Sequence, residues 1–336
     1  MLKEDVLIVT RTPFRVSLFG GGTDFEEYYK VNGGEVISFT INKSMFVTVN
    51  KKFDGKLHIR YSKMEETGHV EDLRHDIIRE CLKFVGVEKG VEIVVISDIP
   101  SVGTGLGSSG ALTVGLLNAL YTYIGKEVSR EDLARYACNI EIGSLKHQIG
   151  KQDQWAVALG GINHIVFNED GSVDYESLLE GREDFWNKTL SSLRLFYIPN
   201  GRKSSKILEV YKKNIDSCRG DIDCHRALVR WFRHKIDCNE VCTGEMGIML
   251  KRAWEIKKKS SPASNVKVEE AVLAAMAGGA SGVKVCGAGQ GGFLLVVLND
   301  ECEYLNSSIV ANMESHGFRH LGFRFHDKGS EIIYKD

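Results

Sequence analysis

Proline is scarce in this chain, four in 336 residues, and no apolar run is long and uninterrupted enough to suggest a membrane span. The longest uncharged span, Ile99 to Gly125, is diluted by the glycines before Ala111 and by Thr113, Asn118 and Thr122, so it reads as a loop followed by a buried helix. With 43% apolar and 26% charged residues, neither a fibrous nor a largely disordered chain fits. A charge excess is missing too. A formal net charge of −2 and a pI of about 6.6 leave no global basic field to recruit nucleic acid or an anionic membrane, so small molecules are the expected partners. Val6 to Thr10 is too short for a secretory leader and is followed at once by Arg11 and Arg15, so a cytoplasmic location is expected. The eight cysteines contain no repeated Cys-x-x-Cys. Cys218, Cys224, His225, Cys238 and Cys242 cluster, but free thiols on helices are favoured over a zinc site. Protein-kinase His-Arg-Asp and Asp-Phe-Gly elements are absent. So is a Walker A loop, because Gly125-Lys126 and Gly150-Lys151 are followed by Glu127 and Gln152 instead of Ser or Thr.

What the chain does have is a glycine-and-hydroxyl turn, Pro-Ser-Val-Gly-Thr-Gly-Leu-Gly-Ser-Ser-Gly from Pro100 to Gly110. It lies between the apolar run Val91 to Ile96 and a predicted helix from Ser108 to Ile124, closed by Gly125. Strand, glycine loop and helix in that order make an anion cradle: backbone amides turn inward, and the helix presents unpaired N–H groups and its positive dipole end. Gly103, Gly105, Leu106, Gly107, Ser108 and Ser109 are the expected phosphate-binding residues, and the serine hydroxyls suit phosphates or a Mg2+ ion riding on them. Gly105 to Gly110 fits G-x-G-x-x-G, and so does Gly287 to Gly292. A dinucleotide fold is disfavoured. About a hundred strand-rich residues precede the first turn, and the second turn precedes a strand.

Strands are predicted at Val6–Thr10, Phe14–Phe19, Val36–Thr40, Met45–Asn50, Leu57–Tyr61 and Ile162–Phe167. A helix begins at the capping box Ser129 to Asp132 and runs to about His147. After a polar stretch from Asn168 to Lys188 the pattern restarts with the strand Leu193–Ile198. Long charged helices then occupy Ser204 to Lys259, with another at Val268–Ala277, a strand at Phe293–Leu298, a helix near Glu301 to His316 and a last strand from Gly322. The expected class is α+β in two domains, 1–190 and 191–336.

Three further segments carry chemistry. Glu141 follows Leu133 and Ala137 on the helix's apolar stripe, where a carboxylate belongs only with a cation or basic partner; the alternative is an edge Glu that bends to water. Asp153 is expected in a packed turn beyond Gly150, placed to accept a proton from an attacking hydroxyl, or else as a surface turn acid. Gly20-Gly-Gly-Thr-Asp24 ends a strand with close backbone approach and two polar side chains suited to a polyol, so Gly21, Gly22, Thr23 and Asp24 are candidate substrate ligands, unless the run is only a tight turn. Asn200 to Ser205, with Arg202 and Lys203 before a helix, makes a candidate second anion pocket, balanced by a plain N-cap.

Taken in order, these segments resemble the three motifs of the GHMP small-molecule kinases. Thr12 to Asp24 resembles the first, Pro100 to Ser109 the second and Lys284 to Gly292 the third. Phe14 stands where a Gly is common in the family, and Gly110 where many members carry Ala. The form Gly-Gly-Gly-Thr-Asp and the run His147 to Gln154 are most similar to the branch containing heptose 7-phosphate kinases and fucokinases; galactokinases differ by a Gly-Glu-His before the Thr-Asp. The resemblance implies an N-terminal domain like domain 2 of ribosomal protein S5, a ferredoxin-like C-terminal domain, and ATP between them. It implies Mg2+ on Ser108 and Glu141, Asp153 as catalytic acid and substrate residue, Arg15 with the Gly21–Asp24 turn on the substrate, and Gly287, Gly289 and Gly291 as the third motif. The implied reaction is phosphorylation of the anomeric hydroxyl of a heptose 7-phosphate, feeding nucleotide-sugar assembly, with L-fucose or another free sugar as the rival acceptor. A non-catalytic sugar sensor would not require Glu141, Asp153 and both loop serines.

Overall fold

The structure is a computed structural model that describes residues 6–100, 103–199, 204–240, 243–298 and 303–336. The first half is built on two long neighbouring strands. β1 (Leu7–Phe19) leads through α1 (Glu26–Asn32) into β2 (Gly34–Lys51), and the two pair antiparallel along nearly their whole length. β3 (Leu57–Arg60), β4 (Met64–Thr67), α2 (Asp76–Val85) and β5 (Val91–Ser97) follow, and then α3 (Ser108–Tyr123), α4 (Arg130–Cys138), α5 (Gln152–Leu159), β6 (Ile162–Phe167), β7 (Val173–Ser177) and α6 (Glu183–Ser191). The second half runs β8 (Leu193–Ile198), α7 (Ser204–Asn214), α8 (Arg219–Asp237), α9 (Thr243–Ser260), α10 (Val266–Ala277), β9 (Gly282–Val285), β10 (Gly292–Val297), α11 (Glu303–Ser315), β11 (Arg319–Leu321) and β12 (Glu331–Lys335).

The expected pairs of strands at 6–10 and 14–19, and at 36–40 and 45–50, are single strands. Pro13 lacks an amide hydrogen, which predicts a break, but the ladder absorbs it as a bulge: Pro13 pairs with Ser44 and Phe14 with Ile41. β12 pairs with β1 only over Ile8 to Arg11, so Pro13 lies beyond it and no bond is lost on that side. The polar stretch after Phe167 contains β7 and α6, and the strand expected from Gly322 is an irregular segment with one bridge, Phe325 to Ile41.

Two sheets result. The larger runs β12-β1-β2-β5-β3-β4, with β6 on β2 and β7 on β6; the smaller runs β11-β8-β10-β9. The chain passes from one to the other between β7 and β8. A cut at 190/191 does not separate them fully, because β12, assigned by sequence to the second half, closes the edge of the first sheet. One core cluster also spans both halves. Period-two alternation in β10 sends Phe293, Leu295 and Val297 into the cluster that holds Val16, Phe39 and Leu106, and Leu294 and Val296 into a second cluster with Val268, Ala271 and Ile309. Burial of both strand faces explains why this segment reads as an unbroken apolar run. Among the described residues no helix is long and apolar enough to cross a membrane.

Candidate active site

α3 starts at Ser108 behind Gly107, whose φ of 79° and ψ of 31° place it in the left-handed region. Its first turn carries no acidic side chain, so the unpaired amides and the positive dipole end are left for an anion. The Thr104 and Ser108 hydroxyls lie 2.8 Å apart. A cleft of about 920 Å³ opens here, lined by Gly103, Gly105, Gly107, Ser108 and Ser109 of this loop, with Arg15, Gly21, Gly22, Asp24, Asp153 and Gly287. Leu106 is not among the lining residues: it is fully buried in the core, and its carbonyl accepts from the Arg15 amide at 3.0 Å.

Asp153 does not sit in a turn; it is the second residue of α5. Arg15, 4% exposed, donates to Asp153 Oδ1 through Nε at 2.9 Å and Nη2 at 2.5 Å, and to the Gly105 carbonyl through Nη1 at 2.7 Å. One guanidinium therefore ties the acid to the glycine loop and fixes its direction. Oδ2 of Asp153 makes no hydrogen bond among the described residues, and the residue lines the cleft. Asp24 is buried beside it and accepts from the amides of Gly22 at 3.0 Å and Gln152 at 3.1 Å. Burial raises its pKa, opposed by the Gln152 amide and reinforced by the nearby Asp153 charge.

Thr23 serves the fold. Its hydroxyl is fully buried, bonds to the carbonyls of Gly20 at 2.8 Å and Glu35 at 2.9 Å, and accepts from the Glu35 amide at 3.0 Å. Its single proton is shared between the two carbonyls, and the side chain, fully buried, does not line the cleft.

Glu141 is fully buried, as its place on the stripe predicts, but by a different route. The α-helix ends at Cys138, and Asn139 to Ser144 form a π-helical turn, with the Leu145 amide on the Ile140 carbonyl at 2.9 Å. Gln154 donates to Glu141 Oε1 at 2.9 Å, while Oε2 is buried without a hydrogen-bond partner among the described residues. His147 Nδ1 stands 3.9 Å from Oε2, and its Nε2 is 3.5 Å from Asp76. Asp76, and after it Glu141, pushes the His147 pKa up to about 9. The basic partner expected for this carboxylate is therefore His147, and the lone pairs of Oε2 that no hydrogen bond uses also suit a hard cation. No group of three or more candidate ligands exists among the described residues, so an ion here would need phosphate and water to complete its shell, the usual habit of Mg2+. Glu141 itself is set behind the cleft wall, on which His147 lies.

The third motif closes the cleft against the second. A Cβ on Gly287 would fall 2.3 Å from the Gly105 Cα, and one on Gly105 would fall 2.4 Å from the Cys286 carbonyl, so the two turns meet backbone to backbone. Gly289 packs on Ala263 instead, and Gly289 and Gly291 do not line the cleft. Arg202 and Lys203 lie outside the described residues; from the helix after them, Ser205, Ile207, Leu208 and Tyr211 line the cleft. Sequence reasoning missed Tyr211, His225, Lys257 and Lys284 on the walls. Lys257 is hidden in a Lys-Lys-Lys run that reads as solvated; Lys284, a lone charge among the valines of β9, was the one available signal. Cys242 also lies outside the described residues, and Cys224 and Cys238 are exposed free thiols.

Residues 73–161 match the GHMP kinases N terminal domain. A D-glycero-alpha-D-manno-heptose 7-phosphate kinase of Campylobacter jejuni is 28% identical over 312 residues, covering 88% of this chain and 91% of that protein. A mevalonate kinase of Saccharolobus solfataricus is 25% identical over 321 residues, covering 92% and 95%. The fold matches the crystal structure of a D-glycero-D-manno-heptose 1-phosphate kinase from Bacteroides thetaiotaomicron, with a TM-score of 0.78, 23% identity and coverage of 97% and 99%.

Proposed function

We propose that this chain, whose residues 73–161 match the GHMP kinases N terminal domain, is a phosphotransferase acting on a sugar hydroxyl that moves the γ-phosphoryl group of ATP to the anomeric hydroxyl of D-glycero-D-manno-heptose 7-phosphate, giving the 1,7-bisphosphate. The observation that carries this reading is the Arg15–Asp153 pair, tied to the Gly105 carbonyl at the start of α3 and facing the same cleft. Phosphoryl transfer asks for alignment and charge neutralisation more than for covalent chemistry. The amides of Gly103 to Ser109 hold the phosphates. Asp24 orients the sugar through its hydroxyls, and Asp153 Oδ2 accepts the proton of the attacking hydroxyl as the new O–P bond forms and the bond to ADP breaks. Mg2+, held by Ser108 and Glu141, would neutralise charge on the phosphate oxygens. Arg15 keeps Asp153 aimed while the glycine loop carries the donor.

The names of the two heptose relatives differ on which carbon already bears phosphate, so the assay must separate the positions. Purified protein is mixed with ATP, Mg2+ and, in turn, heptose 7-phosphate, heptose 1-phosphate and L-fucose; ADP release is followed and the product's phosphorus resonances are assigned. Turnover on the 7-phosphate with a new anomeric phosphate is expected. Faster turnover on the 1-phosphate or on free fucose overturns the choice of acceptor.

A further inference from the structure

One wall of the cleft carries positive charge that the mechanism above does not use. Lys284 of β9 is 4% exposed, and its Nζ donates to the carbonyls of Leu18 at 2.8 Å and Ser17 at 3.2 Å, near the end of β1. Lys257 of α9 is half-buried on the same wall, and its Nζ donates to the Gly287 carbonyl of the third motif. Neither lysine has a carboxylate within ion-pair distance among the described residues. His225 of α8 completes the group. It is 4% exposed, with Nδ1 buried and unpartnered, and burial followed by the two lysines lowers its pKa to about 3, so it is neutral.

An ammonium has three donors. Lys284 spends two on carbonyls and Lys257 one, so three N–H bonds remain to be directed at something in the cleft. Two cations on a largely desolvated wall, without an acid, are costly unless an anion arrives. Burial, and for Lys257 the neighbouring Lys284, lower the pKa values to about 7 for Lys257 and about 8 for Lys284. The other titratable and charged groups facing the pair are Arg15, Cys286 and His225. Arg15 is already bound to Asp153, and buried Cys286 has its pKa raised by desolvation, so neither supplies a negative charge.

We propose that Lys257 and Lys284 form a phosphate seat between the third glycine motif and the end of β1, occupied during the reaction by a phosphoryl group. That group is either the γ-phosphoryl of the donor or the phosphate already on the acceptor. Only this choice of occupants rests on the kinase reading; the seat itself rests on the cleft wall.

Calorimetric titration without turnover tests it. Inorganic phosphate, ADP, AMP-PNP and heptose 7-phosphate are titrated into the parent, K257M, K284M and the double variant, with melting temperatures as the check on folding. The double variant is expected to bind inorganic phosphate at least about tenfold more weakly, the scale of one charged hydrogen bond. A matching loss for AMP-PNP with ADP unchanged assigns the seat to the γ-phosphoryl. A loss confined to heptose 7-phosphate assigns it to the acceptor. Unchanged affinity for all four ligands in a folded double variant overturns the seat. Should the variants not fold, the parent still decides: titrating phosphate at about pH 8.5 in two buffers of different ionisation enthalpy must show proton uptake by the protein, since an anion recharges lysines that are partly neutral there. No uptake overturns it. Failure of the kinase reading would look different, with phosphate bound and lost on substitution but no sugar phosphorylated.

Discussion

Two segments share the pattern G-x-G-x-x-G, Gly105 to Gly110 and Gly287 to Gly292, and they do different work. The first opens a helix of 16 residues, so its amides are unpaired and point at the cleft. The second opens a strand: the Phe293 amide donates to the Thr104 carbonyl at 3.1 Å and the Cys286 amide to the Phe293 carbonyl at 2.8 Å, so the nearby backbone groups are spent inside the protein. A glycine pattern reports where backbones come close. The element that follows decides whether the amides are left for a ligand.

The largest effect should come from the chemistry attached to the first turn. Asp153→Asn is expected to keep its fold and ADP affinity while kcat falls about 10²- to 10⁴-fold, the range of general-base catalysis. An unchanged kcat would remove Asp153 from that role, and with it the functional asymmetry between the turns.

Next in size are Gly105→Ala and Gly287→Ala. Both positions have positive φ, 73° and 61°, and both new methyls would meet backbone rather than a side chain that can move. Each should lose about 3 kcal/mol or more in urea unfolding, the range for strained backbone plus overpacking. If one variant is as stable as the parent, the turns do not meet as described.

A pH effect tests how the second half is fastened. Glu35 of β2 accepts from Arg226 Nε at 2.9 Å and Arg230 Nε at 3.0 Å of α8, and pairs with His164 Nε2 at 3.0 Å. Burial alone would raise its pKa, but His164, Arg226 and Arg230 outweigh that and bring it down to about 2. The unfolded chain then binds the proton first, so this stabilisation is full above about pH 4.5 and disappears as pH falls toward 2. Glu35→Gln should therefore flatten the acid limb of the stability curve, a difference of about 2 to 3 kcal/mol near neutrality. Parallel acid limbs for variant and parent would contradict it.

The smallest effect is expected at Gly110→Ala. The added methyl would lie 3.1 Å from the Asp153 carbonyl carbon and 3.2 Å from the Asp153 Cβ and the Gln154 amide nitrogen, contacts relieved by a few tenths of an ångström. A change in melting temperature of no more than a few degrees is expected, with kcat shifted more than stability because the displaced residue is the proposed general base. A collapse in stability would show that this end of the first turn is as rigid as the contact between the turns.

Much of the site was legible because its residues obey local rules. The helix after Ser108, the cap at Ser129 and the burial of Glu141 follow from composition and spacing, whereas Asp153, expected in a turn, lies in the first turn of α5. Counting by fours reached Glu141 correctly through a helix that is not α throughout; the π-helical turn keeps the residue inside, and nothing in the residue types marks it. Thr23 looked like a sugar ligand because a hydroxyl next to glycines is ambiguous until its partners are known, and these are the backbone of Gly20 and of Glu35, on a different strand. Lys257 and Lys284 were missed for a complementary reason. Lys284 stands out as a lone charge in β9, but the significance of both lysines lies in the absence of an acid nearby, which no local pattern reports.

The closing of the first sheet by β12 has a consequence in time. Arg11 and Glu331, paired across that edge, are 320 residues apart. Until β12 arrives, the outer edge of β1 over Ile8 to Arg11 is an open template for any other extended segment, and the strand that carries Arg15 is held on one side only. Chain closure over such a separation is slow. Catalytic competence should therefore appear late in folding, after the glycine loop and its helix have formed, and a competing strand at that edge would inhibit the enzyme by occupying its scaffold rather than its cleft.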